Sequence, residues 1–268
     1  MKDKVVIITG ASSGIGRALA FEMASRGAVV VIAARSVDSL KNMEAELHSG
    51  GHKALAVQAD VSREEDCKAI VNATIEKFGR IDVLINNAGI SMRAIFADTD
   101  LSVIRKLMDI NFWGTVYCTK FALPYLLKTK GAVVGVSSIA GFKGLPGRTG
   151  YSASKFAMQG FLETLRIENL KTGLHVMIAC PGFTASNIRK TALAADGSQQ
   201  GESPRDEGSM MPAEEVARRI ATGIVSRKKV LIMTTQGKMT VMLNKLFPGF
   251  MDKMVYNHMA KEPDSPFK

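Results

Sequence analysis

The sequence predicts a Rossmann-type α/β fold, in which a doubly wound, seven-stranded parallel sheet carries helices on both faces. Two observations indicate this class. Short runs rich in β-branched residues alternate with longer segments of helical period, which is the pattern of βαβ units. A glycine-rich loop at residues 9–16 directly follows the first of these runs. Because right-handed crossovers join neighbouring parallel strands, the alternation predicts one layered sheet.

The elements follow one another in a regular order along the chain. The predicted strands are 5–8, 29–33, 54–57, 83–85, 132–136, 175–179 and 230–233. The amphipathic segments predicted as helices include 15–26, 64–78, 101–128 and 152–171. No repeat of 20 to 50 residues is visible. The 268 residues are therefore predicted to form a single dinucleotide-binding domain over 1–268.

Two segments depart from this rhythm. Residues 187–211 are rich in Gly, Ser, Gln and charge, and the segment is long for an α/β loop, so we expect a flexible substrate loop there. Residues 238–268 are predicted to form an amphipathic extension, whose helix should break at Pro248-Gly249. Its Met-rich stripe fits packing on the body or a second subunit, an adaptable pocket, or peripheral contact with a membrane.

Composition and charge narrow the function classes. Hydrophobic residues make up 46% and charged residues 22% of the chain, which excludes a disordered, collagen-like or disulfide-scaffold protein. The formal net charge of +10 favours anionic partners such as nucleotides or acidic carriers. The basic residues are scattered and form no known nucleic-acid motif, so no nucleic-acid partner is predicted.

The cysteines and the apolar runs bear on metal binding and location. Cys67, Cys118 and Cys180 are widely spaced, without a CxxC pair, so we expect core thiols and no metal site. The chain has no signal-peptide pattern after Met1 and no apolar run of the roughly 18 residues that span a bilayer. A cytoplasmic protein without a transmembrane segment is expected.

The loop after the first strand is a candidate phosphate site. It reads Thr-Gly-Ala-Ser-Ser-Gly-Ile-Gly over residues 9–16 and leads into a helix. Glycines permit a tight turn and close approach of a pyrophosphate, and the helix N-terminus offers free N–H groups. A glycine turn needed only for steric reasons is the alternative. The residues expected to contact the pyrophosphate are Gly10, Ser12, Ser13, Gly14, Ile15 and Gly16.

A tyrosine and a lysine stand four residues apart at the start of a later helix. Positions i and i+4 share a helix face, so the Lys155 ammonium is expected to lower the pKa of the Tyr151 phenol toward working pH. Tyr151 is then a general acid for a carbonyl oxygen, or a base for an alcohol. Ser138 is expected to hydrogen-bond the same oxygen. Without further motifs, Tyr151 and Lys155 would fit a surface pair equally well.

Taken in order, these motifs resemble the short-chain dehydrogenase/reductase family. The match to the family pattern covers nearly the whole chain. It consists of the spacing Gly-x-x-x-Gly-x-Gly after Thr9, the run 86–89 after the fourth strand, Ser138, the Tyr151 and Lys155 pair, and the turn 181–182. The resemblance implies hydride transfer with a nicotinamide dinucleotide. It also implies a homodimer or homotetramer, which family members form through helices such as 101–128 and 152–171.

The resemblance implies further site residues. It implies that Asn111 holds a water molecule in the proton relay. The alternative is that the asparagine forms hydrogen bonds with backbone groups at a helix bend. It also implies that Asp60 and Val61 contact the edge of the adenine ring. The alternative is that Asp60 caps the following helix. Either Thr184 or Ser186 is expected to hold the nicotinamide carboxamide. The remaining cofactor contacts implied are Asn87, Ala88, Gly89, Tyr151, Lys155, Pro181, Gly182 and Phe183.

The end of the second strand indicates the cofactor. A carboxylate there would bind both ribose hydroxyls of NAD, but the sequence has Arg35 and Ser36 instead. A guanidinium can pair with a 2′-phosphate through its planar fork, and a serine adds a hydroxyl. We therefore expect NADP(H), with an ordinary exposed arginine as the alternative.

The sequence thus predicts an NADP(H)-dependent oxidoreductase acting on a ketone or secondary alcohol, with Tyr151 as general acid and base. The segment 181–188 and Arg35 resemble the hydroxysteroid-dehydrogenase-related branch, which implies a hydrophobic, steroid- or lipid-like substrate. A β-ketoacyl-thioester reductase and a catalytically silent, nucleotide-binding regulator on the same fold are the alternatives. The sequence leaves the substrate and the physiological direction open.

Overall fold

Seven parallel strands form one sheet. The computed structural model describes residues 1–203, 208 and 210–267. The strands lie in the order β3-β2-β1-β4-β5-β6-β7 and all pair in parallel. They are β1 (Val5–Thr9), β2 (Val29–Ala34), β3 (Ala54–Gln58), β4 (Val83–Asn86), β5 (Ala132–Val136), β6 (His175–Cys180) and β7 (Val230–Ile232). The predicted doubly wound sheet of seven strands is confirmed.

Helices cover both faces of this sheet. They are α1 (Gly14–Ser25), α2 (Val37–Ser49), α3 (Glu64–Phe78), α4 (Leu101–Leu107), α5 (Gly114–Thr129), α6 (Thr149–Glu168), α7 (Ala213–Val225), α8 (Thr235–Leu246) and α9 (Pro248–Ala260). Successive side chains of a strand point to opposite faces. Val6 and Ile8 of β1 accordingly enter the core with α1, α2 and α7, whereas Val5 and Ile7 enter the core with α3, α5 and α6.

The strand order reverses between β1 and β4. These strands are neighbours in the sheet, although β2 and β3 lie between them in sequence. In open parallel sheets such a reversal leaves a crevice beyond the carboxyl ends of the strands, because the connecting helices leave toward opposite faces. The loops that follow β1, β4, β5 and β6 meet at this crevice.

The segment 101–128, predicted as one helix, is interrupted. A π-helical stretch, Met108–Trp113, separates α4 from α5. The wider turn coincides with Asn111, whose side chain bonds the backbone of Ile90 rather than its own helix. The Thr115 hydroxyl donates to the Asn111 carbonyl at 3.0 Å. A local wide turn of this kind is one of the usual causes of a helix kink.

The segment 187–211 lies against the body as far as residue 203. The backbone of Leu193 exchanges hydrogen bonds with Ser91 and Arg93, and the Leu193 side chain is buried beside Met92 and Leu107. Residues 204–207 and 209 of this predicted substrate loop lie outside the described residues. Flexibility of the segment stays a prediction.

The two last helices follow the predicted break. Phe247 separates α8 from α9, and Pro248 is the first residue of α9, where its missing N–H costs no helical bond. Large apolar side chains of this pair remain more than half exposed, among them Met242, Leu246 and Phe250. Within the described residues, no helix has both the length and the apolar character to cross a bilayer.

Candidate active site

The loop between β1 and α1 forms a glycine-rich cradle. Gly10 and Gly14 adopt positive φ angles of 64° and 51°, which favour glycine. A Cβ at Gly16 would lie 2.2 Å from the Gly10 carbonyl oxygen, so the first turn of α1 can pack there only with a glycine. The result is an open helix N-terminus whose N–H groups face the crevice, a geometry suited to phosphate.

The loop after β4 braces this cradle. The Asn87 amide nitrogen donates to the carbonyls of Thr9 at 2.9 Å and Gly10 at 3.2 Å. The Thr9 hydroxyl accepts the backbone N–H groups of Asn87 and Ala88, both at 3.1 Å. Asn87 was predicted as a cofactor contact, and in the structure its side chain also fixes the shape of the cradle.

A cavity of about 500 Å³ runs along the carboxyl ends of the strands. Every residue predicted for the site lines it, except Asn111. Its size is ordinary for a ligand site. The glycine cradle, the open end of α1 and an exposed cation at the end of β2 fit a dinucleotide with phosphate groups.

That cation is Arg35, which is exposed and, among the described residues, has no carboxylate partner. Its backbone carbonyl accepts a hydrogen bond from Gln58. Ser36 is the N-cap of α2, since its hydroxyl accepts the Ser39 N–H at 3.4 Å and donates to the Ser39 hydroxyl at 2.9 Å. This capping role was not predicted from the sequence.

Asp60 does not cap α3. Its carboxylate accepts the backbone N–H of Ser62 at 3.0 Å and the Ser62 hydroxyl at 2.7 Å, which forms a local turn. Its own N–H donates to Asp66 of α3. The capping alternative is therefore wrong, and Asp60 is held at the cavity wall beside Val61.

Tyr151 and Ser138 both line the cavity, and their side chains share a hydrogen bond. Burial raises the pKa of the Tyr151 phenol above its ordinary value, whereas a hydrogen bond with Ser138 and the charges of Arg148 and Arg189 lower it. The net direction is upward, so the expected lowering by Lys155 is not seen. The Lys155 nitrogen lies 5.8 Å from the Tyr151 ring centroid.

Lys155 is buried behind the tyrosine. It is 3% exposed and donates to the Val136 carbonyl at 2.9 Å. Burial lowers its pKa to about 8. A lysine with such a pKa can gain and lose a proton near neutral pH, which suits a group that exchanges protons with a neighbour.

The lowered pKa of Lys155 predicts how stability depends on pH. Between about pH 8 and the unfolded value of about 10.4, the unfolded chain binds more protons than the folded one. The free energy of unfolding should therefore rise with pH across this window, by roughly 2–3 kcal/mol relative to Lys155→Met. Urea denaturation of both proteins at several pH values measures this difference. The exposed Lys171, changed to Met, is the control, and a difference for Lys155 that stays flat contradicts the prediction.

Asn111 lies behind the cavity wall. Its side chain is fully buried and bonds the Ile90 N–H at 2.8 Å, the Ile90 carbonyl at 3.0 Å and the Ser154 hydroxyl at 2.9 Å. A Cβ at Gly89 would lie 3.1 Å from its Oδ1 and 3.4 Å from the Lys155 nitrogen. The side chain thus bonds the loop after β4 and α6 rather than its own helix, and its part in a proton relay stays a prediction.

The turn after β6 lines one part of the cavity. Pro181, Gly182 and Phe183 line it together with the hydroxyl residues Thr184 and Ser186. The Thr184 hydroxyl donates to the Gly182 carbonyl at 3.2 Å, and the Ser186 hydroxyl donates to the Thr184 carbonyl at 3.5 Å. Either hydroxyl stays a candidate for the carboxamide.

Gln159 was not predicted from the sequence. Its amide nitrogen donates to the Ser137 hydroxyl at 2.9 Å and approaches the Ser138 carbonyl at 3.4 Å. It thus holds the strand end that carries Ser138. The signal for it was available, because Tyr151, Lys155 and Gln159 recur at intervals of four on α6 and share one face.

No metal cluster is formed by the described residues, in which no three His, Cys, Asp or Glu side chains are grouped for a metal ion. Cys67, Cys118 and Cys180 are buried free thiols, as predicted. Burial raises the pKa of the Cys180 thiol to about 12, so it is a neutral neighbour of Lys155.

Comparison with known proteins agrees with this arrangement. Residues 4–197 match the family described as short chain dehydrogenase. The chain is 35% identical over 271 residues to "Dehydrogenase/reductase SDR family member 7B" of Mus musculus, with coverage of 99% of this chain and 84% of the relative. It is 38% identical over 260 residues to "11-beta-hydroxysteroid dehydrogenase A" of Arachis hypogaea, with 93% and 73% covered.

Solved structures share the fold. A short chain dehydrogenase/reductase from Burkholderia phymatum, in complex with NAD, superposes with a TM-score of 0.84 at 24% identity over 93% of this chain and 95% of that one. An alcohol dehydrogenase from Thermococcus sibiricus, complexed with 5-hydroxy-NADP, gives 0.76 at 25% identity over 86% and 94%. Since the family match covers most of the sequence, the chain belongs to the short chain dehydrogenase family of oxidoreductases.

Proposed function

We propose that the protein is an NADP(H)-dependent oxidoreductase that interconverts a ketone and a secondary alcohol. One observation carries the proposal: the hydroxyls of Tyr151 and Ser138 share one cavity with an open glycine cradle, and Lys155 lies directly behind them. Two hydroxyls at one point can hold a single carbonyl oxygen. The cradle beside them suits the phosphates of a dinucleotide.

The side chains divide the work in the reductive direction. Tyr151 donates its phenolic proton to the carbonyl oxygen, and Ser138 donates a hydrogen bond to the same oxygen. Lys155 lies behind the tyrosine, and its lowered pKa suits a group that exchanges protons with a neighbour. When bound, the dinucleotide supplies or accepts the hydride at the carbonyl carbon. In the oxidative direction, the Tyr151 phenolate removes the alcohol proton.

Arg35 carries the preference for NADP(H) in this proposal. A guanidinium paired with a 2′-phosphate contributes about 1.5–3 kcal/mol, so Arg35→Ala should weaken NADPH binding about 10- to 100-fold. Binding of NADH, which lacks this phosphate, should hardly change. Fluorescence titration of both cofactors into both proteins measures the ratio.

The exposed Lys41 of α2 offers a matched control, because it does not line the cavity. Lys41→Ala should leave both affinities as they are. Equal binding of NADPH and NADH by the unaltered protein, or an equal loss of both in Arg35→Ala, contradicts the assignment. Binding without turnover of any ketone or alcohol would favour the silent regulator.

A hydrophobic substrate is the class that the lining supports. The apolar residues Ile90, Leu145, Ile188 and Leu193 are among those that line the cavity with Tyr151. The relative in Arachis hypogaea bears the name of a hydroxysteroid dehydrogenase, which supports a steroid- or lipid-like ketone. A panel of such ketones, followed by NADPH consumption, is the first activity screen.

A β-ketoacyl-thioester reductase is the second candidate. The exposed Lys106 lies at the edge of the cavity, and the net charge of +10 favours an acidic carrier or coenzyme A. Faster turnover of a coenzyme A thioester than of the corresponding free ketone would decide for this candidate.

The wider organisation completes the proposal. Residues 1–268 are taken as one dinucleotide-binding domain, with 187–211 as its substrate loop and 238–268 as its amphipathic extension. A cytoplasmic homodimer or homotetramer is proposed, and the exposed Trp113, Phe156 and Leu170 on and beside α5 and α6 support it. The exposed apolar side chains of α8 and α9 support peripheral membrane contact. Light scattering and vesicle flotation measure these properties.

A further inference from the structure

The segment that follows α9 folds back onto the entrance of the site. Glu262 in this segment is 5% exposed. Its carboxylate lies 3.7 Å from the Arg93 Nε and 3.4 Å from an Arg148 terminal nitrogen. Arg93 also donates to the Pro263 carbonyl. The segment is thus docked on two loops, one after β4 and one before α6.

The three charged side chains are almost excluded from water. The side chains of Arg93, Arg148 and Glu262 are 9%, 11% and 4% exposed. A buried carboxylate between two guanidinium groups is worth little by itself, but removal of one partner leaves an uncompensated buried charge, which is strongly unfavourable. Removal of the Glu262 carboxylate therefore weakens the hold on the Arg148 guanidinium, which can then shift from its place at the cavity wall.

Arg148 connects this cluster to the reacting groups. It directly precedes α6 and stands three residues before Tyr151. Both residues line the same cavity. The positive charge of Arg148 lowers the pKa of the Tyr151 phenol, against the effect of burial. A shift of this guanidinium therefore changes the electrostatic field at the phenol.

We propose that Glu262 is a positioning residue of the reaction, which holds the Arg148 guanidinium at the cavity wall beside Tyr151. This inference rests on the proposed function of Tyr151. It assigns the segment after α9 a part in the active site, although its residues are remote in sequence from the family motifs. Glu262 acts through Arg148 and touches neither substrate nor cofactor.

The charges near the Tyr151 phenol allow two opposite changes of its pKa when Glu262 is removed. Burial opposes the phenolate, whereas the hydrogen bond with Ser138 and the charges of Arg148 and Arg189 favour it, and the Lys155 nitrogen lies 5.8 Å from the ring centroid. If Glu262 only neutralised Arg148, its removal would strengthen the positive field and lower the Tyr151 pKa. If Glu262 positions Arg148, its removal releases the guanidinium and the pKa rises.

The experiment compares Arg148→Met, Glu262→Gln and the double variant with the unaltered chain. Tyrosine is isotope-labelled at its ζ carbon, and the Tyr151 resonance is assigned with Tyr151→Phe. Its titration midpoint should rise by about half a pH unit or more in each single variant. The midpoint of the double variant should rise no further, because both changes remove the same effect, the Arg148 charge held beside the phenol. The pH profile of kcat/KM should move in the same direction.

Asp252→Asn is the matched control. Asp252 of α9 pairs with Lys143, so this change removes another ion pair of the same C-terminal region without touching Arg148. The Tyr151 midpoint should stay in place. A Glu262→Gln midpoint that falls or stays constant overturns the proposal, and so does a rise in the double variant equal to the sum of the single rises.

Two further points keep the test decisive. Thermal unfolding shows whether Glu262→Gln is folded. If it is not, Glu262→Asp replaces it, because the shorter side chain keeps the charge but places the carboxylate farther from Arg148. The Tyr151 titration midpoint should then rise by a smaller amount, and an unchanged midpoint overturns the proposal. The titration needs no substrate, so a chain that reduces no carbonyl compound counts against the proposed function, and an insensitive Tyr151 counts against Glu262 alone.

Discussion

Tyr151→Phe is expected to lower kcat/KM about 10²- to 10⁴-fold with any ketone that the protein reduces, because it removes the proton donor and keeps the ring. Affinity for NADPH should remain within a factor of about two, since the glycine cradle and Arg35 are untouched. Steady-state NADPH consumption and cofactor titration on the same preparations separate the two effects.

Tyr125→Phe is the matched control for this change. Tyr125 lies on α5, outside the residues that line the cavity, so its hydroxyl should be dispensable for turnover. Equal activity of Tyr151→Phe and the unaltered chain would remove Tyr151 from the chemistry. Because burial raises the pKa of the Tyr151 phenol, the neutral, proton-donating form is present through neutral pH.

Gly16→Ala is expected to abolish tight dinucleotide binding. The added Cβ would lie 2.2 Å from the Gly10 carbonyl oxygen and 2.5 Å from the Asn87 amide nitrogen. Both contacts are far below van der Waals distance, so the cradle must move away from α1. Loss of two charge-assisted bonds to phosphate, each about 1.5–3 kcal/mol, corresponds to roughly 10²-fold or more in affinity. Overpacking should also cost about 1–3 kcal/mol of stability.

Gly160→Ala tests whether the effect comes from this position. Gly160 lies on α6, and no atom is within 4 Å of the site of its added Cβ. Alanine is the better helix former, so this variant should gain up to about 1 kcal/mol. NADPH and NADH titrations, with thermal unfolding, compare both variants. Normal cofactor affinity in Gly16→Ala would contradict the role of the cradle.

The two predictions address different parts of the proposed enzyme. A protein that lost activity in Tyr151→Phe but bound cofactor normally would be an oxidoreductase with an intact nucleotide site. A protein that bound NADPH and never turned over a carbonyl compound would fit the regulator. Tight binding that tolerated Gly16→Ala would place the dinucleotide elsewhere in the crevice.

The sequence by itself determined the fold and most of the site. All seven strands lie within one residue of their predicted bounds, because β-branched runs and helical periodicity are properties of short windows. Every predicted site residue except Asn111 lines the same cavity, because parallel strands bring their carboxyl ends to the same edge of the sheet. Gly10, Gly14 and Gly16 could be predicted as residues of the phosphate site from their spacing. Each stands where the backbone angles or the close packing favour glycine.

Only the tertiary structure decided the electrostatics and the supporting contacts. The Tyr151 pKa is raised rather than lowered, because burial outweighs the neighbouring charges, and burial depends on packing from many elements. Glu262 meets Arg148 across 114 positions of sequence, and Gln159 meets Ser137 across 22. Local periodicity carries no information on such contacts, which exist only after the chain has folded.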